Sequence, residues 1–150
     1  MQAVIISIWI LHGVLMMVDE FYYHHRRGLG RWEAMGHPVD TLFFMACFVY
    51  ALWVSPAHAA GFIALALLST LIITKDEFVH ADACPGGEQW LHALLFILHP
   101  VSLLALYLAW AQGWRLLIGL QTLLILLFGV YQVIYWNLYK NRKGAASNPS

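Results

Sequence analysis

Five long apolar stretches, at about 3–18, 39–54, 59–74, 90–111 and 114–136, alternate with short segments that hold most of the charge. A helix needs roughly 20 residues to cross the hydrocarbon of a bilayer. Several stretches reach that length only if their helices run on into the polar segments, and the pattern predicts that they do. Gly28-Leu29-Gly30, Ser55-Pro56, Pro85-Gly86-Gly87 and Gly113 mark the breaks. The expected elements are therefore five helices with four tight connections. The first stretch lacks the basic leader and small-residue cleavage site of a signal peptide, and it carries His12 and Glu20, so it is expected to be retained.

Composition agrees with this pattern. The 150 residues are 61% hydrophobic and 11% charged, with a mean hydropathy of +0.69, which is outside the range of soluble domains. The fold class expected is all-α: an integral membrane protein of five transmembrane helices in one domain over 1–143, followed by a disordered tail over 144–150. Arg26, Arg27, Arg31, Lys75, Lys140, Arg142 and Lys143 fall on one side and Arg115 on the other. The positive-inside rule then places the N-terminus outside and the C-terminus in the cytoplasm, in a bacterial inner membrane. A formal net charge of zero offers no footprint for nucleic acid. Cys47 and Cys84 are far apart in the pattern and are expected to be reduced thiols.

The polar segments are not random. A carboxylate is followed one helical turn later by a histidine four times, as Glu20/His24, Glu33/His37, Glu77/His80 and Glu88/His92, each where an apolar stretch meets a loop. Residues three or four apart share a helix face, so each pair aims two metal-ligand side chains the same way. Asp-Glu-Phe occurs at 19–21 and again at 76–78, and the order Asp-Glu-Phe, His, loop, Glu, His, Pro relates a first half, about 1–57, to a second, about 58–112. Two repeated hairpins about an axis along the membrane normal imply a four-helix bundle of the first four helices. The fifth helix, about 114–140, is expected to pack outside it.

Helix direction turns the four pairs into two layers. At 1.5 Å rise per residue, the members of each pair lie about 5 to 6 Å apart along the axis. Glu20, His37, Glu77 and His92 then form a deeper layer and His24, Glu33, His80 and Glu88 a shallower one, just inside the cytoplasmic face. Each layer offers two carboxylates and two imidazoles, which suits two metal ions with bridging glutamates. Mixed oxygen and nitrogen ligation favours iron, with zinc or manganese as alternatives. The bland reading, ionisable side chains resting at headgroups, sits poorly with eight ligand-type residues at matched depth. An ion-pair network with Arg26, Arg27 and Arg31 is the main competitor.

Asp19 and Asp76 adjoin the glutamates, and the repeat leaves open which acid of each pair ligates, since Asp76 at four residues also shares a face with His80; the glutamates are favoured, with the aspartates orienting imidazoles. His12, Asp40 and His99 lie deeper, on the metal-facing sides of their helices, and either line a polar pocket or lock the bundle through hydrogen bonds. Tyr22, Tyr23, Trp32 and Trp90 fit an interfacial aromatic belt.

The pattern resembles the ferritin-like di-iron carboxylate proteins, in which Glu and Glu-x-x-His from four helices converge. The matching residues are Glu20, Glu33, Glu77 and Glu88 with His37, His80 and His92; only Glu77/His80 has that spacing. It is also similar to membrane fatty-acid desaturases and alkane hydroxylases, although His24-His25 is the one adjacent histidine pair. These resemblances imply an oxidase, hydroxylase or desaturase acting on a lipid or other apolar substrate, served by a redox partner. The alternatives are a non-catalytic metal protein, for structure, sensing, storage or transport, and a proton-coupled transporter using His12, Asp40 and His99, which would have to assemble as a homo-oligomer.

Overall fold

A computed structural model describes residues 1–140, with the side chains of Asp76, Val79, His80 and Ala83 left aside. The tail expected to be disordered, the basic residues Arg142 and Lys143, and the side chains of Asp76 and His80 therefore lie outside the described residues. Helix accounts for nearly all of the described chain, and no strand occurs in it. Five helices are long and apolar enough to cross a membrane: α1 (Gln2–Arg27), α2 (Arg31–Trp53), α3 (Pro56–Lys75), α4 (Gly86–Ala111) and α5 (Arg115–Lys140). Each runs beyond its apolar stretch into polar residues, as anticipated. A short helix, Glu77–Ala83, continues the chain after α3.

The breaks have local causes. Gly28 (φ 80°) and Gly113 (φ 72°) take left-handed backbone conformations that disfavour any side chain. Ser55 accepts a hydrogen bond from the Ala57 amide, and Pro56 occupies the first turn that follows. Glu33 and Glu88 are each the third residue of their helices, α2 and α4. There a carboxylate meets the positive end of the helix dipole. Glu33 also accepts from the Gly30 amide at 3.1 Å.

Packing departs from the expectation of four helices with a fifth outside. The main partners are α2 with α5, α1 with α4, and α2 with α3. Polar side chains on α5 explain its place: Gln132 accepts from Thr41 at 2.8 Å, and Asn137 donates to the Ala34 carbonyl at 2.8 Å. That carbonyl is the one Pro38, four residues on, cannot bond. In hydrocarbon an unpaired backbone group costs several kcal/mol, so Asn137 allows a proline inside α2 and ties α5 to it. The apolar core, including Trp9, Phe48, Leu106, Trp110 and Ile118, fills the opposite half of the bundle from the α1–α2 connection.

Candidate metal centre

Helix α1 does not remain α-helical to its end. Residues Asp19–His24 form a π-helical turn, with bonds from i to i+5 in place of i to i+4. The turn places Asp19, five residues before His24, and Glu20, four before it, around the same imidazole. All three are buried. From α4 come Glu88 and His92, 0% and 4% exposed.

Four residues converge here. Asp19 sets one carboxylate oxygen 2.9 Å from His92 Nε2 and the other 3.3 Å from His24 Nε2, and Glu88 Oε1 lies 3.5 Å from the same His24 nitrogen. One donor atom from each of Asp19, His24, Glu88 and His92 lies within 4.8 Å of all the others. Donors held at about 2.1 Å from one ion stand roughly 3.0 to 3.4 Å apart, depending on whether the arrangement is octahedral or tetrahedral. The edges of 2.9 to 3.5 Å fall close to that range through different oxygens of Asp19, and the remaining donor separations lie within 4.8 Å, so receiving an ion requires the side chains to draw together. His24 supplies the independent sign: it is 1% exposed, yet neither ring nitrogen is aligned for a hydrogen bond. Buried polar atoms are ordinarily satisfied; an ion would satisfy Nε2, which faces Asp19 and Glu88, while Nδ1 faces Glu20 at 3.7 Å.

The surrounding residues orient the four. Glu20 lies 3.7 Å from His24 Nδ1, on the side away from Asp19, and accepts a hydrogen bond from the Trp136 indole at 2.5 Å. A carboxylate behind a ligating imidazole fixes its tautomer and direction. Thus, of the two acids between which spacing could not decide, Asp19 is in the cluster and Glu20 stands behind it. The ring of His37 packs 4.7 Å from that of His24. Arg27 bridges two carboxylates, bonding Glu33 at 2.6 and 3.0 Å and Glu88 at 3.0 Å.

The other expected residues fall elsewhere. Glu77 is exposed and is not among the grouped residues, and His80 and Asp76 have no described side chains. Asp40 pairs with Lys75 at 2.7 Å. His99 shares a 2.9 Å hydrogen bond with Ser69, and its ring lies 5.9 Å from that of His12. One contributor has no counterpart in the sequence reasoning, Trp136, whereas the ion pairs of Arg27 with Glu33 and Glu88 are part of the network named there as the competitor to a metal site. The trace of Trp136 is a polar edge, Gln132, Trp136 and Asn137, in the last third of a mainly apolar helix.

Beside the centre lies a cavity of about 950 Å³. Asp19, His37 and His92 lie at one end of its lining, His12 and His99 further along. The rest of the lining is mainly apolar, and Ile10, Val14 and Met17 of α1 and Leu124 and Leu127 of α5 are also exposed on the outer surface. The cavity is therefore lined by exposed apolar side chains of both α1 and α5. No family model matches this chain, and neither does any curated protein or solved structure.

Proposed function

We propose that this chain is a membrane metalloprotein that oxidises an apolar substrate drawn from the bilayer. Asp19, His24, Glu88 and His92 hold the ion, iron fits the two-imidazole, two-carboxylate set best, and Glu20 with Trp136 keeps His24 directed at it. The observation that supports the reading is the mainly apolar cavity whose lining includes Asp19 and His92, and we read its opening as facing lipid. Bound iron would supply dioxygen chemistry. Hydroxylation or desaturation would consume one dioxygen, two electrons and two protons, so a reductant must serve the site. By the positive-inside rule that partner meets the cytoplasmic face, close to the centre.

The two-ion arrangement expected from eight ligands meets an obstacle in Arg27, whose guanidinium neutralises Glu33 and Glu88. A second dication beside Glu88 would be repelled unless Arg27 withdrew. One ion with a guanidinium neighbour is therefore the stoichiometry we favour. A second reading, a structural zinc site, draws on the nearly complete burial of the four donors.

The experiment is oxygen uptake by the full chain in lipid nanodiscs, loaded anaerobically with ferrous iron and supplied with a chemical reductant, followed by mass spectrometry of the extracted lipid. Oxidative function requires uptake above that of the zinc-loaded protein and a lipid product gaining one oxygen or losing two hydrogens. Equal uptake by both forms would contradict it. A sharp loss of thermal stability on chelation would then favour the structural reading.

A further inference from the structure

His12 and His99 make a second polar station in the same cavity. They lie seven residues from Asp19 and His92 respectively, two helical turns along the same faces, which sets them about 10 Å from the metal centre. They are 7% and 6% exposed, their rings meet edge to face at 5.9 Å, and Phe44 packs against both. Ser69 holds His99 at 2.9 Å. Among the described residues no hydrogen-bond partner holds the His12 ring, which lines the cavity. An imidazole nine-tenths buried against apolar walls with no partner is costly, and a ligand group is the natural claimant.

The lining also defines the chemistry of that ligand. No lysine or arginine lines the cavity among the described residues, and Asp40, which does, is already held by Lys75. A carboxylate or phosphate held at His12 and His99 would thus have no lysine or arginine beside it and would stand about 10 Å from the metal centre, whereas a hydroxyl or carbonyl needs only the donor and acceptor that imidazole provides. We infer that His12 and His99 bind the neutral hydrogen-bonding group of an amphiphilic substrate, a long-chain alcohol, ketone or ester, and so set which part of its chain lies beside Asp19 and His92. The inference rests on reading the cavity as the substrate chamber. It names the substrate class and makes His12 a specificity-determining residue.

Two probes of equal chain length isolate the polar group: dodecanol and dodecane, titrated into nanodiscs holding the full-length protein with ¹⁵N-labelled histidine. Occupancy is followed by the His12 and His99 ring nitrogens and, in variants, by displacement of a spin-labelled alkane. Dodecanol is expected to bind about tenfold more tightly than dodecane, a difference typical of one or two hydrogen bonds formed in an apolar site. His12→Gln, which keeps a donor and an acceptor, should retain most of the preference, and His12→Leu should abolish it while leaving dodecane binding unchanged. His99→Phe provides the same test should His12→Leu fail to fold. Equal affinity for the two probes, no binding of either, or a preference surviving both apolar substitutions would overturn the inference. Running the titrations with metal-free and iron-loaded protein separates the two claims: a chain that selects dodecanol but holds no metal refutes the metal centre alone.

Discussion

Arg27→Gln should be among the most damaging single changes in this protein, even without metal. The guanidinium is one-fifth exposed, while the carboxylates it joins, Glu33 and Glu88, are 1% and 0% exposed. It makes a bidentate fork on Glu33, at 2.6 and 3.0 Å, and reaches Glu88 at 3.0 Å with the same Nη2. Removing it leaves two buried carboxylates facing each other with no cation but His24 near Glu88 and only the helix-end amides beside them, and breaking a buried pair in this way costs about 3 to 5 kcal/mol. At about 2 to 4 °C per kcal/mol for a chain of this size, thermal unfolding of the metal-free protein should fall by roughly 6 to 20 °C. Arg27→Lys keeps the charge and loses the fork, so it should lie between the two. A double-mutant cycle with Glu33→Gln, read by circular dichroism in detergent, isolates the pair. The double variant should recover about 1.5 kcal/mol or more relative to the sum of the singles. Additivity within about 0.5 kcal/mol, or a midpoint unchanged by Arg27→Gln, would show that Arg27 does not hold these carboxylates in place.

Two further outcomes follow from the surroundings of the centre. Trp136→Phe removes the indole donor to Glu20 while keeping an aromatic ring, and metal affinity measured by competition with a chelator should drop about 10- to 100-fold without loss of the ligands themselves; an unchanged affinity would deny Glu20 its orienting role. Burial pushes the Cys84 thiol up to about 12, against the opposing pull of Arg27. The thiolate is the reactive form and becomes scarce as that value rises. At pH 8 alkylation of Cys84 by iodoacetamide should therefore run about a thousandfold slower than that of an ordinary exposed thiol, speeding up as pH approaches 12, and labelling at the ordinary rate would contradict its burial.

The spans were legible because a hydrophobic run in a membrane chain answers to one constraint, the thickness of hydrocarbon. Glycine and proline marked the ends for reasons confined to a few residues, as at Gly28 and Gly113. The site was half legible. Spacing of three and four found Glu88/His92 and His24, since α4 is regular there, and Glu33 and Glu88 share the third-residue position of their helices. Asp19 was given a lesser role because a search at three and four cannot see a partner five residues away, and the π turn that makes this spacing productive has no plain signature in Asp-Glu-Phe-Tyr-Tyr-His. The same tripeptide at 76–78 shows the limit of the repeat: Glu77 is exposed where Glu20 is buried. The place of α5 was hidden by its hydrophobicity. Its polar edge acts only through distant partners, Thr41, Ala34 and Glu20, which local pattern cannot name.

The metal ion proposed at Asp19, His24, Glu88 and His92 has a direct spectroscopic readout. X-ray absorption at the metal edge, on full-length protein stripped with chelator and reloaded with ferrous iron or zinc, tests it most directly because it reads stoichiometry and ligands together. The account predicts about one ion per chain, with two imidazole nitrogens and at least two oxygens at about 2.0 to 2.2 Å, and loss of that shell in His24→Ala and His92→Ala. A sample that retains well under one ion per chain after loading, or an imidazole shell that persists in both histidine variants, would contradict it.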